Sequence, residues 1–450
     1  VKNNYFDNLP AISKNQCFQI LSKSINELSL SSDYYKAIFH LAKYPSKETE
    51  DILISFIKID SSEHSITIAK RKAIEILAKF KCFRAIDSIA KCLYSSDPYI
   101  IENAAWALAE LHSKSYKIHQ RIGSLLEDKN QNRRLLIQSL NSMNAVSQIS
   151  KIKQILSEES LSTGIEGASI AAIYNLSGDK INLNKLREFL SLGNQNDRQC
   201  AVQDVIDSGY IGFFKDILTA PVAPSFRIRA LNHFYLKSSE FNDLNYIFKI
   251  VESLISDNPF ELNLIHSYKN EPSITFLVDQ LFSTDFSLAY LSLRHLITKN
   301  AEDIWPIIYS RWDSINKDYG AIYFTLLLFR HLKGWNKLAI QEVICLAEYA
   351  LSDKWPAFIK FRPTAILILF QFYSSVNFSR IKEWMNEKIT PFWASRYATL
   401  MSIESNFNYF LNCSEMKDQF QKESKDSNKF VSEKYNYLRK LIFNQNYYNK

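Results

Sequence analysis

The chain has 450 residues, of which 46% are apolar, 14% aromatic and 22% charged, a composition that excludes a disordered protein. Nine glycines and eleven prolines are too few for a fold rich in turns and strands, so we expect helices joined by short connections. The formal net charge of +7 is spread along the chain, which argues against binding nucleic acid through a concentrated basic surface.

The predicted elements begin with a helical cap at residues 1–32. The next helix, Asp33–Tyr44, is ended by Pro45, and a later helix begins where Asp97 can cap and Pro98 can occupy the first turn. One helix type with small residues on one face recurs through this region. The last apolar residues of its six copies lie 31, 32, 33, 32 and 29 residues apart, at Leu77, Leu108, Leu140, Ile173, Val205 and Phe234. A period of about 30 predicts stacked antiparallel helix pairs over residues 33–240.

Downstream of residue 240 the spacing blurs, although the segments keep a helical pattern and become richer in aromatic residues. We predict an irregular helical continuation of the repeats over residues 241–413 and a charged helix or tail over residues 414–450. The predicted fold class is therefore all-α, an α-α superhelix (solenoid) of HEAT-like repeats.

The six cysteines are scattered, without a pair or a Cys/His cluster at the spacing of metal ligands, so we expect a reduced compartment and no metal site. The first residues lack the apolar core of a signal peptide, and the longest apolar runs are too short to span a bilayer. We therefore expect a soluble protein of the cytoplasm, or of an equivalent stromal compartment, with no membrane or nucleic-acid partner.

Five stretches of the sequence have a particular wording: Ser96–Leu111, Gln131–Leu140, Asn196–Asp207, Ala220–Leu231 and Asp318–Leu332. An Asp-Pro followed by an Ala-rich helix is common to many HEAT-like proteins, but the fuller strings around Trp106 and Asp204 are more specific. These stretches resemble the E/F-type phycobilin lyases, and most of all the branch that acts on phycoerythrin α subunits. The resemblance runs from about residue 33 to at least residue 235, and Asp318–Leu332 extends it.

The resemblance implies an enzyme that binds a bilin, phycoerythrobilin, as a substrate and holds no permanently bound cofactor. It implies an apo-phycoerythrin α subunit as the partner, whose cysteine thiol adds to the ring-A ethylidene of the bilin and forms a carbon–sulfur bond. A second lyase or a chaperone subunit is a further partner that the resemblance leaves open. Since the nucleophile belongs to the acceptor, the lyase itself would position the bilin and control its protonation.

A bilin needs acidic or amide groups for its pyrrole N–H groups, an apolar groove, and cations for its two propionates. We predict that Asp318 and Tyr319 are catalytic, because they join a carboxylate to a phenol where the repeats become irregular, although Asp318 could be only a helix N-cap. The predicted bilin-binding residues are acidic, amide, aromatic and basic side chains: Glu102, Asn103, Trp106, Arg133, Asp197, Arg198, Asp204, Trp312, Asp313 and Tyr323.

Several of these residues also have a structural interpretation. Five arginines recur near the starts of successive repeat helices: Arg133, Arg134, Arg198, Arg227 and Arg229. Of these, Arg133, Arg198 and Arg227 could form ion-pair ladders that pin neighbouring repeats together. Trp106 lies on an Ala-rich packing face and Tyr323 lies in an apolar helix, so both could be core residues.

Three other functions compete with plain attachment. A lyase that also isomerises phycoerythrobilin would attach it as phycourobilin, which needs an acid/base pair such as Asp318 and Tyr319. A HEAT-repeat scaffold that binds proteins without catalysis would show the same periodicity. A HEAT-like DNA-repair glycosylase is disfavoured, because the positive charge is too dilute.

Overall fold

The structure is a computed structural model that describes residues 12–237, 243–352, 361–373, 376–411 and 413–444. Within these ranges the chain forms α-helices and short 3-10 turns, and no strand. None of the described helices is both long and apolar enough to cross a membrane. The helices in chain order are α1 Lys14–Ser22, α2 Asp33–Leu41, α3 Lys47–Ile57, α4 His64–Lys79, α5 Ile86–Cys92, α6 Pro98–Glu110, α7 Tyr116–Leu125, α8 Arg133–Ser142, α9 Ile149–Leu156, α10 Thr163–Ser177, α11 Asn184–Phe189, α12 Gln195–Ser208, α13 Phe214–Leu218, α14 Pro224–Lys237, α15 Leu244–Ser256, α16 Ile274–Asp279, α17 Phe286–Ile297, α18 Ala301–Ser310, α19 Trp312–Ile315, α20 Tyr319–His331, α21 Lys337–Ser352, α22 Arg362–Phe372, α23 Phe378–Met385, α24 Trp393–Ser405, α25 Phe407–Leu411, α26 Ser414–Phe420 and α27 Lys429–Asn444.

The described residues form two compact units. The N-terminal unit comprises residues 12–189 together with Gln203–Ile211, and the C-terminal unit comprises Leu190–Val202 together with the described residues from Gly212 onward. Helix α12 therefore contributes its first half to one unit and its second half to the other. The segment boundaries predicted at residues 32, 240 and 413 stay a prediction, because the two units are defined by contact and not by sequence repeat.

The N-terminal unit is a stack of helix pairs. Helices α2, α4, α6, α8 and α10 pack in succession as one layer, and α3, α5, α7 and α9 each pack against the even-numbered helix that follows. Small side chains allow this close approach: Ala73 of α4, Ala104 of α6 and Ala172 of α10 are fully buried. The all-α solenoid of HEAT-like repeats that the periodicity predicts is confirmed.

The start of α6 forms as its sequence predicts. The side chain of Asp97 accepts hydrogen bonds from the backbone N–H groups of Tyr99 and Ile100, at 2.8 and 3.1 Å, and Pro98 occupies the first turn. Two N–H groups that the helix leaves without a partner are thereby satisfied.

The C-terminal unit repeats the side-by-side packing with helices of similar length. Helices α17, α20, α22, α24 and α27 pack in succession, while α21 packs on α22 and α23 packs on α24. In α20, all nine residues from Ala321 to Phe329 are buried, so this helix is apolar around its whole circumference. Helix α20 therefore lies within the core of this unit, with neighbouring helices packed around it.

Candidate functional site

Helix α10 carries two glycines on the face where side chains from α8 and α12 meet. Gly164 and Gly167 are two of only nine glycines in the chain. Gly164 is the second residue of α10, whereas Gly167 lies in the interior of the helix, where glycine costs about 1 kcal/mol relative to alanine. A Cβ atom at Gly167 would lie 2.2 Å from Oδ2 of Asp204, whereas one at Gly164 would lie 3.4 Å from Cδ of Arg134. Glycine is therefore required at Gly167, because the carboxylate of Asp204 rests against the helix backbone.

The carboxylate of Asp204 is paired with the guanidinium of Arg134. The Nη2 atom of Arg134 lies 2.7 Å from Oδ1 of Asp204, and its Nη1 atom donates to Oδ2 at 3.1 Å and also to the carbonyl of Gly164. The side chain of Asp204 is 1% exposed and that of Arg134 is 18% exposed. Burial raises the pKa of Asp204 to about 7, because the loss of hydration outweighs the attraction of Arg134. Such a carboxyl group can hold or release a proton near neutral pH.

A second carboxylate, that of Asp207, lies one helical turn further along α12 and is held by amides. Gln138 donates to its Oδ2 at 2.9 Å, and Gln203 donates to its Oδ1 at 2.7 Å. Asn141 donates to the backbone carbonyl of Asp207 at 2.9 Å and accepts from Asn175 at 2.8 Å. We call these residues, together with Arg134, Gly164, Gly167 and Asp204, the polar strip. The polar strip brings carboxylate and amide oxygens together where α8, α10 and α12 meet.

Helix α6 packs next to α8 and carries the aromatic residue Trp106. Trp106 precedes Gln138 by 32 residues and Glu102 precedes Arg134 by 32, the same step that separates Leu108 from Leu140. These residues therefore occupy equivalent positions on neighbouring helices. Trp106 is half-buried against the core of the unit, and Glu102 is half-buried too. Because α6 packs on α8, we infer from this equivalence that the indole lies near Gln138 of the polar strip.

Asn103, which the sequence also predicts as a bilin ligand, donates to the backbone carbonyl of Tyr99 at 2.8 Å within its own helix. This local bond favours a structural role, and a ligand-binding role for Asn103 stays a prediction.

Two predicted cationic residues are occupied in structural ion pairs. Arg133 is 5% exposed and donates from both Nη atoms to the carboxylate of Glu158. Arg198, fully buried in the C-terminal unit, donates to Oδ1 of Asp285 at 2.5 Å and to the backbone carbonyls of Leu192 and Gly193. The ladder interpretation is favoured for both, since each guanidinium already has fixed partners.

Several predicted site residues lie around the start of α20. Asp318 is the N-cap of α20, and its Oδ1 accepts from the N–H of Ala321 at 2.8 Å. Tyr319 follows it and is 40% exposed. Trp312 packs edge-on against Trp305, with ring centroids 5.7 Å apart. A catalytic role for Asp318 and Tyr319 stays a prediction, as do the ligand roles of the exposed Asp313 and the half-buried Asp197.

Tyr323 belongs to a buried network that the sequence did not reveal. Its hydroxyl and that of Tyr290 both donate to Oδ2 of Asp257, while Arg227 donates to Oδ1 at 2.5 Å. Asp257 is 1% exposed and has the left-handed backbone conformation, φ 48°, at the end of α15. Burial and the charge of Asp257 raise the pKa of both tyrosines well above its usual value, so both hydroxyls stay protonated.

The ring of Tyr323 also lines a small apolar cavity in the C-terminal unit, together with Phe286 and Phe361. The cavity volume is about 50 Å³. Sites for drug-sized ligands measure roughly 300–1,000 Å³, so this cavity is too small to enclose a tetrapyrrole.

The thiols of the N-terminal unit are shielded. Cys17, Cys82 and Cys92 are buried, and burial raises the pKa of Cys17 and of Cys82 to about 11. Cys345, on α21, is exposed. Within the part of the chain that the structure describes, no three His, Cys, Asp or Glu side chains are placed to share a metal ion.

Comparisons with known proteins give relatives along most of the chain. The bilin biosynthesis protein CpeY of Synechococcus sp. (strain WH8020) is 34% identical over 386 residues, which cover 85% of this chain and 91% of that protein. The uncharacterized phycocyanin operon protein Y of Pseudanabaena tenuis (strain PCC 7409) is 29% identical over 399 residues, covering 87% and 92%. The structure of the complex of CpcE and CpcF of phycocyanin lyase from Nostoc sp. PCC7120 aligns with a TM-score of 0.48 at 22% identity, over 56% of this chain and 99% of that one. No protein-family model matches the chain.

Proposed function

The chain belongs to the E/F-type family of phycobilin lyases, and from this premise we propose that it binds phycoerythrobilin and attaches it to a cysteine of a phycoerythrin α subunit. The relative with 34% identity is named for bilin biosynthesis, which supports a bilin as the ligand. The polar strip of the N-terminal unit is the proposed bilin site.

The observation that carries the proposal is the carboxylate of Asp204, buried against Gly167 and paired with Arg134. A bilin carries N–H groups at its pyrrole rings and two propionates at its edge, so it presents donors to a carboxylate and anions to a guanidinium. The indole of Trp106 would supply a flat apolar surface beside them. The strip therefore offers each kind of contact that an open-chain tetrapyrrole requires.

In the proposed reaction the S–H bond of the acceptor cysteine adds across the ring-A ethylidene double bond. The sulfur forms the new carbon–sulfur bond, the thiol proton is lost, and a proton is added to the ring carbon, so no oxidant or reductant is needed. Asp204 would stabilise the protonated bilin, whose positive charge makes the ethylidene carbon more electrophilic. A pKa of about 7 lets the carboxyl group serve in either protonation state at neutral pH.

The alternative is attachment with isomerisation, which would yield bound phycourobilin. Moving the double bond requires one group that removes a proton from carbon and another, or the same group, that returns it. Asp204, buried beside Arg134 with its pKa raised to about 7, would be the group that moves this proton. The product distinguishes the two, since phycourobilin has a shorter conjugated system and absorbs at shorter wavelength.

The test is co-expression of this chain with a phycoerythrobilin supply and an apo-phycoerythrin α subunit. We expect a covalent, denaturation-resistant, fluorescent adduct on the acceptor. Asp204→Asn should lower the adduct yield strongly, whereas Asp87→Asn, which changes an exposed carboxylate of the same unit, should leave it unchanged. If there is neither an adduct nor any bilin absorbance on the purified protein, the chain is a binding scaffold and the proposal is wrong.

A further inference from the structure

We propose that Arg134 changes partner when the bilin binds: it leaves Asp204 for a bilin propionate, and bilin N–H groups replace it on the carboxylate. This inference rests on the proposed function and adds to it a requirement for a free propionate. The ligand class is therefore an open-chain tetrapyrrole that carries both N–H donors and at least one carboxylate.

The difference in exposure between the two partners sets the order of contact. Asp204 is 1% exposed and Arg134 is 18% exposed, so a ligand that arrives from solvent reaches the guanidinium before the carboxylate. Arg134 extends from α8 on a long side chain, whereas the short side chain of Asp204 is fixed against Gly167. Arg134 is thus the partner that can move, and its movement uncovers the carboxylate.

Because Asp204 is buried, a ligand that separates the pair must give a new partner to Arg134 and to Asp204 at the same time. An anion that drew Arg134 away would leave a buried carboxylate without a cation, which is strongly unfavourable. A ligand that offered only N–H donors would have to displace a guanidinium that had no new partner. A bilin acid offers a propionate and N–H donors on one molecule, so it satisfies both groups at once.

The neighbouring arginine, Arg133, is not placed for such an exchange. Arg133 is 5% exposed and both of its Nη atoms are held by Glu158. The two residues differ by one step along α8, which turns the side chain by about 100° around the helix. Only Arg134 of this pair faces the polar strip.

The experiment compares the binding of phycoerythrobilin free acid with that of its dimethyl ester, followed by the absorbance of the bound pigment. We expect the wild-type protein to bind the free acid about tenfold more tightly than the ester, because the ester leaves Arg134 on Asp204. In the double variant R134Q/D204N, which removes both charges and leaves no unpaired one, the ratio should fall to about one. Arg134→Lys keeps a cation and should keep most of the preference.

The matched control is Arg84→Gln, which removes an exposed arginine of the same unit that pairs with Glu50 and Asp51, and which should leave the ratio unchanged. Equal binding of acid and ester by the wild-type protein overturns the exchange, while adduct formation in co-expression would leave the lyase function intact. A preference that persists in R134Q/D204N also overturns it. If neither form binds and no adduct forms, the proposed function fails together with the exchange.

Discussion

The hydroxyl of Tyr323 donates to the carboxylate of Asp257, which lies 66 residues earlier in the chain and is buried in the C-terminal unit. Tyr290 and Arg227 complete the set of partners, so Asp257 ties α14, α15, α17 and α20 together. A buried charge with three donors is stable as long as all three remain.

We therefore expect Tyr323→Phe to lower the free energy of unfolding by about 2 kcal/mol, because it removes one hydrogen bond to a buried charge. Denaturant unfolding would measure this loss, and Tyr309→Phe, at a tyrosine that is 51% exposed, is the matched control. The adduct yield of the folded variant should be unchanged. If instead stability were unchanged and the yield fell, Tyr323 would have the bilin-binding role that the sequence predicts.

The two glycines of α10 should respond differently to alanine. At Gly167 the new methyl group would lie 2.2 Å from Oδ2 of Asp204, so we expect a net loss of about 1–3 kcal/mol of stability and weaker bilin binding. At Gly164, the second residue of α10, the contact of 3.4 Å is ordinary, so stability should change by less than about 0.5 kcal/mol. Thermal unfolding with bilin absorbance checks both, and equal effects would contradict the placement of Asp204.

The raised pKa of Asp204 predicts a pH dependence of stability. The pKa rises from an ordinary value of 3.8 to about 7, so between these values the folded protein keeps a proton that the unfolded chain has released. The free energy of unfolding therefore includes the full contribution of this protonated group below about pH 4. That contribution falls as the pH rises towards 7, by at most about 1.4 kcal/mol per pH unit. The unfolding free energy of the wild type minus that of Asp204→Asn should fall over this window. A flat difference would mean that Arg134 keeps Asp204 ionised throughout.

The predicted catalytic role of Asp318 can be tested with two substitutions, one that removes only its charge and one that also removes its helix-capping side chain. Asparagine is as good an N-cap as aspartate, whereas alanine costs about 1 kcal/mol at such a position. Because Oδ1 of Asp318 is occupied by the N–H of Ala321, we expect Asp318→Asn to keep both stability and adduct yield, and Asp318→Ala to lose stability only. A yield that collapses in Asp318→Asn while the unfolding curve is unchanged would establish the predicted catalytic carboxylate.

The repeats could be predicted from the sequence because each one needs the same small residues at the same spacing. Ala104 and its counterparts recur where helices pack closely, and such a constraint is local and periodic. The cap formed by Asp97 is equally local, since the side chain bonds to residues two and three positions ahead. Interactions between residues that are close in the chain can therefore be predicted from the sequence alone.

The partners of the charged residues could not be predicted in the same way. The sequence predicts Asp204 as a bilin ligand, but its partner Arg134 lies 70 residues away in the chain, and the carboxylate fits only because Gly167 carries no side chain. Arg133 and Arg134 are adjacent and of the same type, but each step of one residue rotates the side chain by about 100° around the helix axis. The two guanidinium groups therefore lie on different faces of α8. The glycine pair in α10 was the signal that could have found the site, because this chain uses glycine so sparingly.

The shielded thiols of the N-terminal unit have a consequence for the proposed reaction. A pigment activated towards sulfur would alkylate any accessible thiolate of the protein that binds it. Because Cys17 and Cys82 are buried and burial raises their pKa to about 11, almost no thiolate exists at these two positions at neutral pH. Under the proposed function, self-labelling at these cysteines would be suppressed and the pigment would be left for the acceptor.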